Sequence, residues 1–106
     1  MNQTPNTVTS SCSEDREILT IVISGRFDFG AHQQFRDAYE TAHPKPSTFV
    51  IDLKGTTYLD SSALGMLLLL RDHAGGEDSH VDIVNSNSDV RKIFGISNFN
   101  KLFNIT

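Results

Sequence analysis

The stretch Asp60-Ser61-Ser62-Ala63-Leu64-Gly65 carries the densest chemistry in the chain, a carboxylate followed by two hydroxyls ahead of the apolar run Met66 to Leu70. A carboxylate in that place caps a helix: its oxygen accepts from a first-turn amide and its charge opposes the positive end of the helix dipole. Ser61 and Ser62 then occupy the first turn, where backbone amides remain free and an anion is favoured. A hydroxyl there can cap, contact a partner or take a phosphate, and a phosphate would add about -1.5 to -2 charges without moving the core. Two serines at a helix start are, on helical physics alone, more often plain helix initiation, since such residues are common at N-termini. Gly65 favours the functional reading. Glycine inside a helix costs roughly 0.5 to 1 kcal/mol, which suggests close approach of another element, and the apolar residues after it tie the turn to a firm scaffold.

A second constellation, Gly25-Arg26-Phe27-Asp28-Phe29-Gly30, falls between a predicted strand and a predicted helix. Its polar groups should emerge on the same rim of a parallel sheet as the Asp60 loop. Asp28 either caps the helix that follows or contributes a charge to a contact surface, and one of Phe27 and Phe29 points inward. Neither glycine loop has the G-x-G-x-x-G or G-x-x-x-x-G-K-[ST] spacing of a nucleotide site. Hydrolase chemistry lacks a G-x-S-x-G elbow and a histidine fixed beside Ser62. His32, His43, His73 and His80 have no metal-ligand spacing, and Cys12, the lone cysteine, has no redox companion. No catalytic residue, cofactor or metal is therefore expected.

The elements that must position these groups follow from periodicity. Thr7 to Ser13 suggests an edge strand, joined through the polar turn Ser13-Glu14-Asp15-Arg16 to the apolar, branched run Ile18 to Ile23, which reads as a strand buried on both faces and ending at Ser24-Gly25. Ala31, Phe35, Ala38, Tyr39 and Ala42 form a helical stripe from Ala31 to about Ala42, stopped before Pro44. Thr48 to Leu53 reads as a central strand, broken by Lys54-Gly55-Thr56-Thr57. A long apolar helix runs from Asp60 to about Ala74 and ends at Gly75-Gly76; it is either deeply buried or buried on one side and sticky on the other. His80 to Val84 alternates as a strand. Ser88 caps a short helix from Asp89 to about Phe94, closed by Gly95, and the apolar tail with Phe99, Leu102, Phe103 and Ile105 docks as a short strand or helical turn. The sum is βαβαβα behind an N-terminal strand, an α/β pattern that favours a mostly parallel sheet with helices against it.

Size and composition bound the answer. With 106 residues, of which 30 are Leu, Ile, Val or Phe, the chain is expected to be one domain with a genuine core rather than disordered. A net charge of -4, with Arg91-Lys92 the largest basic cluster, argues against direct nucleic-acid binding. The five-residue apolar run is too short for membrane insertion, and Met1 to Pro5 has no secretory character. Cytoplasmic residence is the expected localisation.

The stretch from Phe49 to Gly65, reading F-V-I-D-L-K-G-T-T-Y-L-D-S-S-A-L-G, resembles the signature of bacterial STAS domains, especially single-domain anti-sigma factor antagonists. Gly25-Arg26-Phe27-Asp28 looks like their earlier G-x-x-D turn, in the right order and separation, and the resemblance extends from about Leu19 through Phe103. It implies an α/β STAS fold over residues 1–106, with 1–6 flexible: a mixed sheet of four to five strands with helices packed largely on one side, and no intrinsic catalysis. In the family the second serine of D-S-S is phosphorylated by an anti-sigma factor that is a serine protein kinase and restored by a PP2C-like serine phosphatase; carried over, that residue is Ser62. Ser61 would shape the turn, and Asp28 and Asp60 would lie near the partner surface. Unphosphorylated, the rim would bind the anti-sigma factor and spare the sigma factor; phosphorylated, it would release it. The alternative is a non-enzymatic STAS scaffold or sensor module that binds another signalling protein. Ala63 departs from the glycine of many relatives and should firm the first helical turn.

Overall fold

Strict alternation of buried and half-buried residues runs through β2, Ile18–Phe27, where Leu19, Ile21, Ile23 and Phe27 all point to one face. The structure, a computed structural model, describes residues 7–106, and the flexibility expected of 1–6 lies outside them. The other face of β2, with Thr20 and Val22, is only half-buried and Ile18 is exposed, so the strand is covered on one side rather than on both as its apolar composition suggests. Branched residues serve either setting, and the uncovered side takes the valine and threonine.

β1, Thr7–Cys12, pairs antiparallel with β2 through the polar turn, as expected of an opening hairpin. After β2 come a 3-10 turn at Phe29–Ala31, α1 at His32–Glu40, β3 at Thr48–Leu59 and α2 at Ser61–Ala74. β4 (Val81–Val84), α3 (Ser88–Ile96), a 3-10 turn at Phe99–Lys101 and β5 (Asn104–Ile105) complete the chain. The sheet order is β1-β2-β3-β4-β5, parallel from β2 onward. One cluster of buried residues joins the inner face of the strands to Phe35 and Tyr39 of α1, Met66, Leu67 and Leu70 of α2, and Val90 and Phe94 of α3. This is the α/β architecture read from the sequence, a five-stranded mixed sheet with its helices on one side.

The Lys54-Gly55-Thr56-Thr57 segment does not break β3. Pairing runs from Ile18 opposite Thr48 to Phe27 opposite Leu59, with irregularities at Val22/Ser24 and Gly25/Arg26, so β3 inserts one extra residue at each. The inward residues of β3 are consequently Phe49, Ile51, Leu53, Thr56 and Leu59, and the period of two fails after Leu53. Local contacts hold the bulges. Asp52 Oδ1 accepts from the Lys54 amide at 2.9 Å, and the buried Thr56 hydroxyl donates to the Ile23 carbonyl at 2.8 Å. Gly55 passes so close to β2 that a Cβ there would stand 2.7 Å from Ser24 Oγ and 3.2 Å from Ser24 Cβ.

Two helix boundaries also differ from expectation. α3 is capped by Asn87, not Ser88: Asn87 Oδ1 accepts from the Val90 amide at 2.8 Å while its Nδ2 donates to the Thr56 carbonyl at 3.2 Å. A longer amide side chain can make both bonds at once, which a serine hydroxyl in the next position cannot. Gly95 lies within α3, which continues through Ile96. α2 does end at Gly75, whose φ of 125° suits glycine.

A Cβ added at Gly65 would meet no atom within 4 Å, so the close approach expected of this glycine is not made by any described part of the chain. The two glycines should therefore respond oppositely to alanine. Gly65→Ala is expected to gain about 0.5 to 1 kcal/mol from helix propensity. Gly55→Ala is expected to lose about 1 to 3 kcal/mol by overpacking against Ser24. Urea unfolding of both variants, read by circular dichroism, checks the signs.

Candidate functional site

Asp60 sits where β3 stops and α2 begins, in extended backbone with φ -120° and ψ -174°. Its amide reaches back to the Phe27 carbonyl at 3.4 Å, which fixes the end of β3 against the end of β2. Its Oδ1 accepts from two donors, the Ala63 amide at 3.1 Å and the Ser62 hydroxyl at 2.6 Å. The first bond is the helix cap expected of this residue. The second is short, as O–H···O⁻ bonds are, and it commits the hydroxyl proton of half-buried Ser62 to Asp60. The Ser62 oxygen keeps its lone pairs outside that bond. Ser61, one residue earlier, is exposed.

Asp28 occupies the equivalent point beyond β2, also extended. Its Oδ1 accepts from the Gly30 amide at 3.0 Å, so it caps the Phe29–Ala31 turn rather than α1 itself, whose first residue follows Ala31 without a side-chain cap. Its Oδ2 takes the Arg26 Nε–H at 3.0 Å. Asp28, Asp60, Ser61 and Ser62 thus gather at adjoining ends of two parallel strands, the rim on which their loops were expected to emerge. Phe27 is the inward aromatic, and Phe29, 71% exposed, stacks on His32 with centroids 5.3 Å apart.

Two neighbours escape a reading of the sequence. Arg26 bonds Asp28 and lies over the Tyr58 ring at 4.5 Å from its centroid. Tyr58, 44% exposed, faces Arg26 across the β2–β3 pair only because of the two bulges, so no simple register would have paired them. The Asp28 carboxylate, through its hydrogen bond and its charge, raises the pKa of Arg26 above its ordinary value.

Beside the rim, α1 and α2 enclose a groove of about 230 Å³ lined by His32, Phe35, Tyr39, Met66, Leu69 and His73 among others. Burial, with a smaller contribution from Lys45, holds His73 below the usual histidine range. Leu68 and Leu69 point outward from α2, Leu69 being 55% exposed, so this helix is buried on one side and apolar on the other. Among the described residues no group of three His, Cys, Asp or Glu side chains is arranged to hold a metal ion, and no helix is long and apolar enough to cross a membrane.

The five-stranded mixed sheet has counterparts among known proteins. The family described as "Mlab, STAS domain" matches residues 10–104. The chain belongs to the STAS domain family. A STAS-domain containing protein of Pseudomonas aeruginosa is 60% identical over 99 residues, covering 93% of this chain and 98% of its own. Among solved structures, this STAS domain is similar to the anti-sigma factor antagonist SpoIIAA in its unphosphorylated form, with a TM-score of 0.70 at 22% identity over 85% of this chain and 83% of that one. It is also similar to the Bacillus cell fate determinant SpoIIAA in the phosphorylated form, with a TM-score of 0.72 at 20% identity over 94% and 91% of the two chains. At those identities the likeness is one of fold.

In this STAS domain Asp60→Ala should lose about 1 kcal/mol of stability by removing the cap, whereas Asp60→Asn, which keeps an accepting oxygen, should lose a few tenths. Chemical denaturation of the two variants against the parent tests the assignment; equal losses would show that the carboxylate charge, not the cap bond, is what stabilises the turn.

Proposed function

We propose that this STAS domain is an anti-sigma factor antagonist, a binding protein rather than an enzyme, whose rim engages an anti-sigma factor when Ser62 is unmodified and releases it when Ser62 is phosphorylated. The observation that carries the reading is the Ser62 hydroxyl, fixed at 2.6 Å from Asp60 on the first turn of α2. A hydroxyl whose proton is held by a carboxylate keeps its oxygen lone pairs for attack on a phosphoryl donor. Support also comes from the fold shared with SpoIIAA, which is named as an anti-sigma factor antagonist and exists in unphosphorylated and phosphorylated forms.

The physical effect of the phosphate is local. It replaces the hydroxyl hydrogen, so the bond to Asp60 loses its donor and two anionic groups become neighbours. A partner surface fitted to the unmodified rim must then desolvate a dianion or leave it unpaired. A hundred-fold loss of affinity corresponds to only about 2.8 kcal/mol, well within the effect of one such group. The partners on this reading are an anti-sigma factor that is itself a serine protein kinase, and a PP2C-like serine phosphatase that restores Ser62. Asp28, half-buried on the same rim, contributes a charge to the interface. Ser61 shapes the turn.

Incubation with the cognate kinase, followed by site-resolved mass spectrometry, should place phosphate on Ser62; Ser62→Ala should abolish most incorporation and Ser61→Ala should leave it. Phosphate on Ser61 or elsewhere would overturn the assignment. Calorimetric titration with the native partner should rank the unmodified protein tightest and the phosphoserine form weakest at unchanged circular dichroism, and Asp28→Asn should weaken association with little change in melting temperature. Equal affinities of the two forms, or capture only of partners unconnected to sigma factors, would instead favour a general signalling scaffold.

A further inference from the structure

Arg26, Asp28, Tyr58 and Asp60 form a quartet that follows from strand geometry. Arg26 and Tyr58 are partners across the β2–β3 pair, and each acid lies two residues further along its own chain, still in extended backbone. Side chains two apart in extended chain share a side, so all four rise from one side of the sheet end, while Phe27 and Leu59 between them point into the core. The quartet contains two carboxylates and one cation. Ser62 joins it through its 2.6 Å bond to Asp60.

Phosphorylation changes this balance. Transfer of the terminal phosphoryl group of a nucleoside triphosphate to Ser62 Oγ forms an O–P bond, breaks the bond to the leaving diphosphate and releases the hydroxyl proton. The ester oxygen then has no hydrogen to give Asp60, and a dianion adjoins two carboxylates around a single guanidinium. That guanidinium is already within the electrostatic reach of Asp60. It carries five N–H donors in a planar fork, of which Nε–H serves Asp28. Its side chain is 57% exposed and is held over Tyr58 by a ring contact rather than by packing on all sides.

We propose that Arg26 is the phosphate-binding residue of the switch, its guanidinium bridging Asp28 and the phosphate once Ser62 is modified. The inference rests on the reading of Ser62 as the phosphorylated residue. Its consequence is that one modification alters two parts of the rim: a negative group is added at the start of α2, and the cation that covers Tyr58 in the unmodified protein is drawn away from that ring.

The test uses the full chain with phosphoserine installed at position 62 during translation, and follows the second phosphate ionisation by 31P NMR titration. A bound guanidinium favours the dianion and lowers that pKa from its ordinary value of about 6. Arg26→Gln should therefore raise it by at least about half a unit, Arg26→Lys by less, and Arg36→Gln, on α1 and paired with Glu40, not at all. An unchanged phosphate pKa in Arg26→Gln with native circular dichroism, or an equal change in Arg36→Gln, would overturn the proposal. Because the phosphate is installed directly, this result is independent of the kinase mapping: phosphate found on another residue by the kinase would defeat the Ser62 reading, whereas a silent titration would defeat only the role of Arg26.

Discussion

The parallel pairing of β2 with β3 is the constraint on which the rest of this STAS domain depends. It sets Asp28 and Asp60 at neighbouring strand ends, and the bond from the Asp60 amide to the Phe27 carbonyl closes the pair where the polar groups emerge. The pairing is irregular for a reason. β3 must bury Leu53, Thr56 and Leu59 on the same face as Ile23, Gly25 and Phe27, and two extra residues in β3 restore that facing after each slip. Gly55 lets the strands approach at the first slip, the Thr56 hydroxyl satisfies the Ile23 carbonyl, and Asn87 ties the Thr56 carbonyl to the start of α3. The third helix is thus anchored to the irregular strand, and the site rests on backbone that is held from both sides.

Most of the architecture is legible in the sequence because its signals are local. A branched apolar run marks β2, alternation marks β4, the Phe35 and Tyr39 spacing marks α1, and the Asp60 to Gly75 span has a cap at one end and glycine at the other. Expectation and structure part where a long-range contact decides the outcome. Gly55 and Thr56 look like a loop because glycine and a pair of threonines interrupt the period of two, yet their roles are set by Ser24 and Ile23 on the adjacent strand. Ser88 reads as the cap of α3, but Asn87 takes that place, where its amide also reaches the Thr56 carbonyl on the adjacent strand. At the candidate site, Asp28, Asp60, Ser61 and Ser62 are visible as residue types at helix starts, whereas Arg26 and Tyr58 meet through two bulges that leave no periodic trace.

Core and rim divide the work of this molecule sharply. Phe27 and Leu59 are buried, and the residues on either side of each carry the polar groups, so an interior residue alternates with a rim residue along both strand ends. Changing a charge on the rim leaves the packed layer between sheet and helices untouched. The apolar outer side of α2, with Leu68 and Leu69, continues away from the same turn and gives the rim an apolar flank.

The order of strands in space is also their order in the chain, β1 through β5, with no strand inserted between earlier neighbours. During synthesis each new strand therefore finds its only preceding partner already exposed and waiting, and the sheet grows by accretion from the amino-terminal hairpin. No segment has to be held open for a later one to enter. Each parallel pairing still closes over an intervening helix, as from Ile18 to Thr48 and from Phe49 to Val81, so the topology orders the assembly while these non-local closures set its pace.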